Sequence, residues 1–116
     1  MRKILVVGDN ENILSIVKHI LTSFGFDVRI HSTGLNVPDI VMHFHPNIIL
    51  LERELADKLD MKVCLELNQI HIHLPIILFS AQVDEEKSFD LCHGDEFIQR
   101  PFEIENLIDT INLHLN

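Results

Sequence analysis

Three short apolar runs, KILVV (residues 3–7), NIILL (47–51) and PIILF (75–79), constrain the fold of this chain more than any other feature. Each is nearly continuous rather than alternating, which suits a strand covered on both faces. Between the runs the apolar spacing becomes helical. Ile13, Leu14, Ile16, Val17, Ile20, Leu21 and Phe24 predict a first helix, with Asn10 as its N-cap and Gly25 as its stop. Residues 37–44 predict a short helix after Asn36, with Pro38 in its first turn. Leu59, Val63, Leu67 and Ile70 mark a third helix, and Asp84 caps a short fourth that carries Phe89 and Leu91. After Pro101, Ile104, Leu107, Ile108, Ile111 and Leu115 give the clearest amphipathic helix. DVRI (27–30), polar enough for a sheet edge, and EFIQ (96–99) complete five strands. Strands alternating with helices predict an α/β fold with a doubly wound, five-stranded parallel sheet. Helices cover both faces, crossovers are right-handed, and the flavodoxin-like strand order is 2-1-3-4-5.

Composition narrows the classes of function. The 116 residues read as one domain, 1–116, and 47% of them are hydrophobic, which argues against disorder. A formal charge of -9 speaks against binding nucleic acid or an anionic membrane, both of which reward Lys and Arg. No apolar run approaches the roughly 20 residues that span a bilayer. The opening MRKILVVGDNEN fails as a signal peptide, because its apolar part is only Ile4 to Val7 and Asp9 and Glu11 follow at once. Cys64 and Cys92 lack metal or redox spacing and read as buried thiols, in keeping with a cytoplasmic location.

In open α/β sheets, ligands bind beyond the carboxyl ends of the strands. There the first strand delivers Asp9 after Gly8, the third Glu52, the fourth Ser80 and the fifth Arg100. Any one of these alone reads as ordinary surface. Two acids, a hydroxyl and a guanidinium at the same edge read as a site.

At these residues the sequence resembles the bacterial response-regulator receiver domain, over nearly its whole length. KILVVGDNENILSIV resembles that family's first strand and acidic turn. HPNIILLERELADKLD resembles its third strand and following loop, LPIILFSA its fourth strand, and DEFIQRPF its fifth strand and Lys-Pro element. The resemblance implies a two-component (phosphorelay) signalling module, in which an aspartate takes a phosphoryl group from a phosphohistidine with the help of Mg²⁺. It makes Glu52 the phosphoacceptor equivalent, Ser80 and Arg100 the phosphoryl-contact equivalents and Phe97 the aromatic switch equivalent. It makes Asp9, Glu52 and the Glu54 carbonyl the metal positions, and Pro101 a candidate for a cis peptide bond.

The chain departs from the family where the chemistry lies. Glu52 replaces the acceptor Asp, Gly8 replaces one acid of the pair, and Arg100 replaces the lysine. Ala56 and Met61 replace the usual Pro and Gly, and Phe97 has no phenolic hydroxyl. Glu reaches about 1.5 Å further than Asp, which predicts negative charge nearer the phosphoryl position. Arg matches a carboxylate in bidentate fashion, so a Glu52–Arg100 ion pair is expected in place of a lysine–phosphoaspartate contact. Mg²⁺ binding is expected to be weak or absent.

The remaining signals are weaker. His43 and His45, and His71 and His73, have strand-like alternate spacing near the amino ends of strands and read as solvated histidines rather than a transition-metal site. No nucleophile–base pair is present, so an enzyme is not expected. The favoured reading is a stand-alone pseudo-receiver without an output domain, acting by phosphorylation-independent docking to a histidine kinase, a phosphotransfer protein or another regulator. Its docking face would be the last two helices and the fifth strand, with Lys87, Gln99, Glu103 and Asn106, which would also serve a homodimer. The alternatives are a phosphorylatable, Mg²⁺-dependent receiver or phosphorelay intermediate, and a small metal- or ligand-binding α/β protein sharing only the fold.

Overall fold

The computed structural model describes residues 2–52, 60–69, 74–80, 96–99 and 103–115; for Asp60, Met61, Ser80 and residues 96–99 it describes the backbone alone. Five strands, β1 (Lys3–Val7), β2 (Asp27–His31), β3 (Ile48–Glu52), β4 (Ile76–Ser80) and β5 (Glu96–Gln99), form one sheet. All neighbours are parallel, and the order is β2-β1-β3-β4-β5. The described helices are α1 (Glu11–Ser23), α2 (Val37–Phe44), α3 (Asp60–Gln69) and α4 (Ile104–Leu115). The short helix expected after Asp84 lies outside the described residues, as do Arg53, Glu54, Ala56, His71, His73, Lys87, Cys92, Arg100 and Pro101.

The continuous apolar runs are explained by two core layers. Ile4, Val6, Ile48, Leu50, Ile77 and Phe79 point to one face of the sheet and pack with Leu14, Val17 and Leu21 of α1 and Leu107, Ile108 and Ile111 of α4. Their strand neighbours Leu5, Val7, Ile49, Leu51, Ile76 and Leu78 point to the other face, against Val37, Val41 and Phe44 of α2 and Val63 and Leu67 of α3. Each fully buried aliphatic contributes about 1.5–3 kcal/mol relative to exposure. Any slip of one residue would exchange the two layers wholesale.

The local signals act as expected at α1. The Asn10 side chain accepts hydrogen bonds from the amides of Asn12 and Ile13, and Gly25 takes φ +93, which few residues but glycine tolerate. Ile16 and Phe24, however, are 59% and 54% exposed, so the buried stripe is narrower than the apolar spacing implied.

Two readings are corrected. His43 belongs to α2, and His45 is its left-handed C-cap with φ 55, so these histidines do not share a strand face. The helix runs right up to the tight turn that feeds β3, and the i, i+2 spacing is incidental. Cys64, on α3, is fully buried but held in a disulfide rather than as a free thiol.

Candidate functional site

The ends of β1 and β3 lie side by side, with Val7 paired to Leu51. Gly8 follows β1, and its amide continues the ladder to the carbonyl of His31 at 3.1 Å. Asp9 comes next and is exposed, immediately before the N-cap of α1. Glu52 is the last residue of β3, one position beyond the apolar run, and Ser80 is the last of β4. The backbone therefore brings Asp9, Glu52 and Ser80 to one edge of the sheet. Phe97 is paired with Leu78 and Gln99 with Ser80. Arg100, the residue after Gln99, lies outside the described residues, as does Glu54.

Glu52 is only 6% exposed. A buried carboxylate needs partners, because desolvation of the ionised form otherwise costs several kcal/mol. One partner is the backbone: the Asp9 amide donates to Glu52 Oε1 at 3.0 Å. One carboxylate oxygen turns sideways, across the top of the sheet, to the end of β1.

The space for that turn comes from Gly8. A Cβ built on Gly8 would lie 2.6 Å from Glu52 Oε1 and 3.1 Å from Leu14 Cδ2. Gly8 is buried, and its backbone is not in the left-handed region that calls for glycine. Glycine is required here for room. The Glu52 carboxylate fills space that any side chain at position 8 would need. Both residues stand out in the sequence, but nothing in it shows that they meet in space.

Beside this pair, Asp9, Asn10, Glu11, Asn12 and Ser32 line an open depression of about 540 Å³. It is acidic and sits at the start of α1. For a divalent cation between β1 and β3, the described residues fit poorly. Asp9 retains a carboxylate, Gly8 supplies none, and Glu52 Oε1 already accepts an N–H. Among the described residues, no three His, Cys, Asp or Glu side chains are grouped as a metal site. Also among the described residues, no helix is long and apolar enough to cross a membrane.

Comparison with known proteins identifies a family and a fold. The model of the response regulator receiver domain matches residues 4–112. Among solved structures, the chain is similar to the BeF3-activated N-terminal receiver domain of Klebsiella pneumoniae RstA, with TM-score 0.90, 20% identity and 99% of both chains covered. It is similar to the N-terminal domain of the nisin resistance regulator NsrR, with TM-score 0.88 and 27% identity over 100% of this chain and 99% of that one. It is also similar to Thermotoga maritima TrrA in complex with Mg²⁺-BeF, with TM-score 0.88 and 21% identity over 98% of this chain and 99% of that one.

Proposed function

The chain belongs to the response regulator receiver domain family, and from that premise we propose that it is a pseudo-receiver, docking to signalling partners without being phosphorylated. One observation carries this reading. The carboxylate at the acceptor position is buried, accepts a hydrogen bond from the Asp9 amide, and occupies the space above Gly8. A phosphoacceptor must present an oxygen to an incoming phosphorus, in line with the leaving group. Here Oε1 is committed to the Asp9 amide, and burial of the whole side chain limits approach to the other oxygen. An internal carboxylate held in this way can fix one conformation of the β1 and β3 ends, which relatives would set by phosphorylation.

In this reading Mg²⁺ binding is weak or absent, since the site retains Asp9 but not a second acid on β1. Ser80 and Arg100 keep their places in the proposal as the groups facing the acceptor position. In the proposal the Arg100 guanidinium would pair with the Glu52 oxygen that the Asp9 amide does not use, and Phe97 would pack inward without a hydroxyl to satisfy. The pair contributes little net stability, because desolvation offsets the attraction. Its role is to hold a single arrangement. Partners are sought among histidine kinases, phosphotransfer proteins and other regulators in the cytoplasm, through a face made of the last two helices and the fifth strand and including Lys87, Gln99, Glu103 and Asn106.

The test is intact mass after incubation with acetyl phosphate and Mg²⁺. The expected result is an unchanged mass. A phosphoryl adduct present in the wild type and absent in Glu52→Gln would establish the phosphorylatable, Mg²⁺-dependent receiver instead.

A further inference from the structure

A second polar surface lies away from the β1 and β3 ends, on the β2 side of the sheet. β2 is an edge strand, paired on one side with β1. A groove of about 570 Å³ runs beside it, between α1 and α2, and its lining includes Lys3, Lys18, Asp27, Arg29, His43 and Phe44. The chain carries 18 acidic and 9 basic residues, yet this lining holds three of the bases and only one of the acids. The local charge is opposite in sign to that of the protein.

The cations are organised. The Phe44 ring, buried at the end of α2, has the Arg29 guanidinium 4.8 Å from its centroid and Lys3 Nζ 5.4 Å from it. Lys3 Nζ also donates to the Phe44 carbonyl at 3.2 Å. Stacking on an aromatic face orients a guanidinium without using its hydrogen-bond donors. Among the described residues, no carboxylate forms an ion pair with Arg29 or Lys18, and both are exposed. Arg29 is on the face of β2 that meets α2, while Lys18 comes from α1 on the opposite face. A strand's side chains alternate between the same two faces.

We infer that the β2 edge is a docking groove for an acidic, extended segment of a partner protein. Carboxylates on successive residues of such a segment would meet Arg29 and Lys3 on one face and Lys18 on the other, with its backbone alongside β2. This mode combines edge-strand addition with charge complementarity. The charge balance favours a peptide over larger polyanions. Three cations can hold a few carboxylates, whereas a nucleic acid or an anionic membrane would meet a chain of formal charge -9. The inference does not depend on whether Glu52 is phosphorylated.

The test uses the full chain and a fluorescein-labelled octapeptide of Glu, Asp and Val, followed by fluorescence anisotropy, with amide shifts of Val28 and Ile30 recorded by NMR. The expected result is binding that weakens about tenfold in Arg29→Glu. It should weaken with added salt and be unchanged in Lys62→Glu, an exposed cation of α3 that is not part of the groove lining. The thermal melt of Arg29→Glu, expected to match that of the wild type, separates loss of the groove from loss of the fold. The inference is overturned if the wild type ignores the peptide, or if Arg29→Glu folds and binds equally. It is also overturned if a Gln, Asn and Val version binds as well, or if single-stranded RNA or anionic vesicles bind more tightly at the same salt.

Discussion

The two polar regions of this molecule treat charge in opposite ways. Between β1 and β3, a carboxylate is withdrawn from water, donated to by the Asp9 amide and seated over a glycine. Along β2, Arg29 and Lys18 stay exposed, Arg29 stacked on Phe44, and no carboxylate is paired with either among the described residues. Charge held inside fixes a shape; charge left facing solvent is available to recruit. In this receiver-family chain, the proposed roles are shape at the β1 and β3 ends and recruitment at the β2 edge.

The contrast breaks most readily at Gly8. Gly8→Asp forces a second carboxylate into space that Glu52 occupies, and overpacking together with like charge is expected to cost about 3 kcal/mol. Denaturant unfolding measures it. Adding Glu52→Asp removes a methylene from the same space and should recover most of the loss. Next in size is Glu52→Ala, which leaves the buried side of the Asp9 amide without its acceptor. The expected cost is about 2 kcal/mol, against about 1 kcal/mol for Glu52→Gln, whose amide oxygen can still accept. A smaller effect is expected from Mg²⁺. Millimolar Mg²⁺ should barely raise the melting temperature of the wild type, and should raise that of the Gly8→Asp/Glu52→Asp variant, which regains a second acid on β1. Smallest of all is Arg29→Ala, an exposed change expected to alter stability by less than about 0.5 kcal/mol while weakening the acidic peptide. Similar stability losses at Gly8 and Arg29 would erase the distinction between the two regions.

Much of the fold is legible in the sequence because it is written in local pattern. KILVV, NIILL and PIILF identify the buried strands to within a residue, EFIQ coincides with β5, and Asn10 and Gly25 bound α1 closely. Features that depend on distant residues are harder to read. The sequence shows that Glu52 ends β3, but the direction of its carboxylate depends on a glycine 44 residues earlier. The β2 groove needs Lys3, Lys18, Arg29 and Phe44 from four elements, so no single motif announces it. The disulfide at Cys64 is invisible for the same reason, since spacing along the chain does not report meeting in space. His43 and His45 mislead in the opposite sense, because a two-residue period means a shared face only if the backbone is a strand.

The central claim is that Gly8 and Glu52 form one interlocked unit. A double-mutant cycle on unfolding free energy tests it most directly, using Gly8→Ala, Glu52→Ala and the pair. The account predicts that Gly8→Ala is costly beside Glu52 and nearly neutral beside Ala, with a coupling of about 1–2 kcal/mol. An equal cost for Gly8→Ala in both backgrounds would show that the carboxylate does not occupy that space, and would contradict the account.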